Sequence, residues 1–212
     1  MPSAAWIVLG ACCGVWLTWT SSRLLALVTD ASNVHRCGYP SWWYGTASIC
    51  GGITAYAGSR VESLRDALLL WFVMALALFQ SPLDAISKRL SRPVTLTCLG
   101  AVAIVVTGDS LTGASRDAMW ISLLVALLVG ITYSLLTFLS PQSLGLGDAL
   151  LVLPLALALA AVNPSRVAAW QILASCSALV HVVVVRAKHR ASAIPFGPHL
   201  LGAAWVVLMA SV

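Results

Sequence analysis

Charge is what this chain has least of. Asp, Glu, Lys and Arg make up 9% of its 212 residues, while 60% are hydrophobic; a soluble domain carries about a quarter charged residues. With a mean hydropathy of +0.94, the chain reads as one solvated mainly by lipid. Acids are scarcer still, seven against twelve bases. The net charge of +5 does not speak for nucleic acid. There is no basic tail, zinc-finger spacing or aromatic-basic ladder, and the bases fall in short connecting segments, where they act as orientation signals.

Paired cysteines are lacking too. Cys12, Cys13, Cys98 and Cys176 lie inside apolar runs, where cysteine behaves as a small hydrophobe. Cys37 and Cys50, thirteen residues apart, form no metal-ligand pattern. A disulfide framework and a thiolate metal site are both excluded on this count, and no cofactor is implied. The opening "MPSAAWIVLGACCGVWLTW" has neither a basic n-region nor a clean cleavage site, so it reads as a retained first span. Neither an internal repeat nor a separate soluble domain is visible, which makes residues 1–212 a single integral membrane domain.

What the chain does have is eight apolar stretches, roughly 4–24, 43–58, 67–84, 94–108, 118–139, 148–162, 167–185 and 196–211. The expected fold is therefore all-α, a polytopic transmembrane helical bundle of about eight spans, with six to eight as the range. Several stretches fall short of the ~20 residues of a plain span and need tilt or helical extension beyond the apolar core. The second is the weakest, diluted by Gly45, Gly51, Gly52 and Gly58. The segments after spans one, three, five and seven hold Arg36, Lys88, Arg89, Arg92, Arg186, Lys188 and Arg190, and Arg23 snorkels toward them. The opposite side holds Arg60, Arg65, Arg116 and Arg166. The richer side is expected to be cytoplasmic, with both termini outside.

Against this background two acids stand out. Asp84, in "SPLDAISKRLSRP", closes the third span, with Pro82 before it and Lys88, Arg89 and Arg92 after it. Asp148, in "SLGLGDALLVLP", opens the sixth span behind Gly145 and Gly147, with no neighbouring base. An even number of crossings separates them, so the topology returns both to one membrane face. A carboxylate at the hydrocarbon border is costly unless water, hydrogen bonds or a proton relieve it. Two carboxylates in one wet cleft would share a proton. One can then take a proton from water while the other gives one to a peptide carbonyl, which is aspartic-protease chemistry. The helix dipole favours Asp148 as the anion of the pair and Asp84, at a helix C-terminus, as the proton carrier. Gly145 and Gly147 leave room for a polypeptide to approach.

These residues carry a resemblance. "GLGD", Gly145 to Asp148, resembles the GxGD signature of membrane aspartic proteases. "LDAISKRLSRPVTL", Leu83 to Leu96, resembles the other aspartate motif of type IV prepilin peptidases, and "IPFGPHLLGAAW", Ile194 to Trp205, is similar to that family's C-terminal segment. The three occur in the family's order and cover a peptidase-like core of residues 66–211. The resemblance implies a bacterial inner-membrane (cytoplasmic membrane) enzyme that removes the short leader of type IV pilin-like precursors. Asp84 and Asp148 would be the catalytic pair. Gly145, Gly147, Lys88 and the Pro195, Phe196, Gly197, Pro198 segment would serve motif geometry and substrate approach. Where the family commonly has a lysine two places after the second aspartate, this chain has Leu150. "RCGYPSWWYG" keeps a single cysteine, Cys37, of the family's cysteine-rich segment. One thiolate cannot make a tetrahedral site, so the compact form is expected, without N-methyltransferase activity. Partners would be the precursor, membrane lipids, and pilus or secretion assembly components.

Other polar residues have plainer readings. Asp30 and His35 read as loop polarity, His199 as a packing or hydrogen-bonding residue, and "VRAKHRASAIP" as an orientation signal able to attract anionic lipid heads. Trp6, Trp42, Trp43, Trp71, Trp120 and Trp205 fit an interfacial belt. Two competing functions remain: a proton-coupled transporter, which calls for acids nearer the midplane, and a non-catalytic assembly protein of a pilus or secretion apparatus.

Overall fold

Apolar runs of this length satisfy their backbone polar groups within lipid by closing into helices. In the computed structural model, which describes residues 3–28, 41–87, 90–111, 116–139, 145–187 and 195–210, eight helices form. They are α1 (Ser3–Val28), α2 (Ser41–Gly58), α3 (Leu64–Ser87), α4 (Arg92–Leu111), α5 (Arg116–Leu139), α6 (Leu146–Val162), α7 (Ser165–Ala187) and α8 (Gly197–Met209). Each coincides with one of the eight apolar stretches, and most run past its edges because helical hydrogen bonding continues through flanking polar residues. The protein is an all-α, multi-pass membrane bundle.

Five helices, α1, α3, α4, α5 and α7, are long and apolar enough to cross a bilayer. α6 and α8 are apolar but shorter, with 17 and 13 residues. At 1.5 Å per residue α8 covers about 20 Å of a ~30 Å hydrocarbon core. Both short helices lie inside the bundle. α6 buries Leu151, Val152 and every residue from Pro154 to Ala160, and it packs on α3, α4, α5, α7 and α8. A helix apolar on every side suits that central place. The outer helices turn Ile104, Leu124, Leu128, Leu135, Leu179 and Val183 outward, a surface that only lipid tails or another apolar partner can solvate.

Small residues set how closely the helices approach. α1 and α2 form the most extensive pair. A Cβ added at Gly10 would strike the Gly51 carbonyl, and one at Gly14 would strike the Ala47 carbonyl. Gly10 and Gly14 are four residues apart, as are Ala47 and Gly51, the small-xxx-small spacing that lets membrane helices touch backbone to backbone. Gly130 of α5 plays the same part against the Leu153 side chain of α6.

The two ends of the bundle are polar in different ways. At one end Arg65, in the first turn of α3, bridges Asp66 at 2.8 Å and Asp109, near the end of α4, at 2.9 Å. Asp84 lies near the other end of α3.

Candidate active site

α6 begins without a side-chain cap at Gly145. Asp148, the third helical residue, turns its carboxylate back to the Gly145 backbone N–H, as the third residue of a capping box does. A Cβ at Gly145 would lie 3.7 Å from Asp148 Oδ2, an ordinary contact, so close approach does not require glycine there. Gly147 is different. Its Cβ would come within 3.2 Å of Leu90 Cβ, so this glycine makes room for the turn between α3 and α4.

Asp84 is only 6% exposed. It follows Pro82, which has no N–H to give the Leu78 carbonyl and interrupts the hydrogen-bond ladder just before the acid. The first residue of α8, Gly197, presses against it. A Cβ at Gly197 would stand 2.6 Å from Asp84 Oδ2 and 3.2 Å from its Cγ, so a side chain there would displace the carboxylate. The Gly197 backbone N–H hydrogen-bonds this carboxylate, while Oδ2 is buried without a hydrogen-bond partner among the described residues. Here the tertiary structure changes a sequence expectation. Local sequence gives Asp84 only the C-terminus of α3, yet folding brings it the N-terminus of α8, so each acid faces the positive end of a helix. The helix dipoles therefore do not divide the pair into anion and proton carrier.

Asp84 and Asp148 line one partly open cleft of about 450 Å³, together with Leu90, Arg92, Gly145, Leu146 and Gly147. Neither acid has an ion-pair partner among the described residues, whereas Arg65 pairs with both Asp66 and Asp109 at the opposite end. The site thus sets two carboxylates, with Arg92 in the same lining, around a space that admits water.

Of the residues singled out from sequence, Asp84, Asp148, Gly145, Gly147 and Gly197 meet at this cleft. Phe196 caps α8, Pro198 occupies its first turn, and Pro195 lies just ahead. Lys88, Asp30, His35 and Cys37 lie outside the described residues. Leu150 is half-buried one turn into α6.

Four contributors escaped the sequence reading. Arg92, counted there only for topology, lines the cleft as the first residue of α4. Leu90 packs between Gly147 and Gly197, reaching within 3.5 Å of a Cβ at the latter. Gln80, fully buried, donates through Nε2 to the Ser91 carbonyl at 2.9 Å and to Thr95 Oγ1 at 3.0 Å, and accepts the Ser91 N–H at 3.0 Å. That clamp fixes the segment carrying Leu90 and Arg92. A glutamine inside an apolar run, four residues before an acid, is a signal the sequence does offer. Deeper, Tyr133 of α5 donates to Gln171 Oε1 of α7 at 2.6 Å and feels the Asp148 charge. Only the packing of three helices reveals that pair.

No grouping of three or more His, Cys, Asp or Glu able to hold a metal occurs among the described residues. Fold and cleft together define the class: a multi-pass helical membrane protein with two carboxylates lining one cleft at one end. Comparisons with protein-family models, curated proteins and solved structures found no match for the chain, so the functional reading rests on its own residues and geometry.

Proposed function

We propose that this chain is a membrane-embedded aspartic endopeptidase. It removes the short leader of type IV pilin-like precursors at the cytoplasmic border of the bacterial inner membrane. In this reading all eight helices are inserted, and both termini lie outside. The observation that carries it is that Asp84 and Asp148 line one cleft of about 450 Å³, with no ion-pair partner among the described residues. The motif segments around both acids and the PFGP segment at Gly197 converge on the same place.

The pair holds one proton between two carboxylates. The ionised member takes a proton from a water molecule, and the resulting hydroxide attacks the scissile carbonyl. The protonated member gives its proton to the carbonyl oxygen, forming a neutral tetrahedral diol. Collapse of the diol breaks the C–N bond: the protonated member gives its proton to the leaving amine while the ionised member takes one from a diol hydroxyl, so the pair again holds a single proton. No metal or cofactor enters this scheme. Arg92, at the rim, supplies the positive field that related enzymes draw from the lysine replaced here by Leu150. With Cys37 alone in the first connecting segment, the reading does not extend to N-methylation.

The test is processing of a pilin-like precursor by the full chain in proteoliposomes, compared with Asp84→Asn and Asp148→Asn. Each variant should cut turnover by about 10³-fold, because an amide cannot share the proton. Full activity in either would end the aspartic mechanism. If the unmodified protein leaves a precursor intact that an active peptidase cleaves, the assembly role takes its place.

A further inference from the structure

Outside the acid cleft, a chain of hydrogen bonds ties α7 to the first turn of α8. Ser177 Oγ donates to the Ala174 carbonyl at 2.9 Å. With its proton committed there, Ser177 accepts from His199 Nδ1 at 3.1 Å. A neutral His199 then has a bare Nε2, and His181 Nδ1 donates to it at 2.9 Å. The two rings lie 5.1 Å apart at 57°. Each proton is placed by elimination: one Ser proton, one tautomer of His199, one N–H of His181. Trp170 adds a second attachment, donating through Nε1 to the Leu200 carbonyl at 2.8 Å.

His199 stands two residues beyond Gly197 in the same helical turn, and the Gly197 backbone rests on Asp84. We propose that the Ser177–His199–His181 chain makes His199 a positioning residue for Asp84, holding the first turn of α8 and its Gly197 N–H against that carboxylate. The inference rests on the aspartic-peptidase reading of the cleft and adds a control on it. Protonating His199 puts a proton on Nε2 and forces His181 Nδ1 to turn from donor to acceptor, so the chain must rearrange. α8 packs on α3, α6 and α7. Among the described residues, the titratable groups these carry toward this end are Asp84, Asp148 and His181, which meets His199, with Cys176 exposed on α7 and Arg186 in the last turn of that helix. The acid limb of activity should therefore combine the carboxylate pair with His199.

The experiment follows two readouts on the full chain in lipid nanodiscs: amide hydrogen exchange across residues 196–204, and precursor cleavage from about pH 5 to about pH 8. His199→Leu should speed exchange in the first turn of α8 and lower kcat by about tenfold to hundredfold, with KM little changed. His199→Gln, which can donate and accept but does not titrate, should recover part of kcat and lose the His199 component of the acid limb. Ser177→Ala is the milder variant should His199→Leu fail to fold, and should shift both readouts in the same direction. Unchanged exchange and unchanged kcat in these variants would overturn the positioning role while leaving the peptidase reading intact. Faster exchange in the variants, with no cleavage even by the unmodified chain, would overturn the peptidase reading and this role with it.

Discussion

Asp84 and Gly197 show how far a single position can be read. The acid is conspicuous in a chain with seven acids, and its place at the end of an apolar run marks it as costly and therefore purposeful. Gly197 is conspicuous only as part of a motif; what it does is visible only in space. With its missing Cβ directed at Asp84 Oδ2, 2.6 Å away, Gly197→Ala should push the carboxylate aside or lift α8 from α3. The expected outcome is a folded protein with cleavage reduced by about tenfold to hundredfold. Turnover measured beside the thermal midpoint tests this; wild-type activity would show that the contact relaxes at no cost to the site. The same limit of local reading applies to Arg92 and Leu90, which look like connecting-segment residues until folding sets them in the lining of the cleft.

At the scale of elements, the eight helices were legible because period and apolar length are local properties of the chain. Helix lengths were less so. α8, at 13 residues, would be a doubtful span if it faced lipid, but its Leu200, Leu201, Ala203 and Ala204 are buried against protein. Gln80 braces the start of α4, donating to the Ser91 carbonyl and accepting the Ser91 N–H. Although the Ser91 carbonyl would keep its bonds from the Thr95 N–H and Oγ1, Gln80→Leu would leave the Ser91 N–H without its partner inside the bundle. It should cost about 1–3 kcal/mol and loosen the cleft wall made by Leu90 and Arg92. A lower thermal midpoint together with reduced precursor cleavage is the expected result, and an unchanged midpoint would count against the clamp.

For the whole molecule, orientation comes from twelve bases distributed unevenly over the connecting segments. If the basic side is cytoplasmic, a reporter that works only in the cytoplasm should be active when fused after residue 187. One that works only outside should be active at the C-terminus. The reverse pattern would put the acid cleft on the outer face, where a leader still attached in the cytoplasm cannot reach it. The sequence by itself determined the membrane class, the eight helices and the two acids worth attention, because hydropathy, helical period and the rarity of charge are written along the chain. Only the tertiary structure decided that α6 lies central, that α8 brings its N-terminus to Asp84, and that Gln80, Leu90 and Arg92 shape the cleft. Those facts depend on which helices pack together, and packing is fixed by steric fit and hydrogen bonds between residues far apart in the chain.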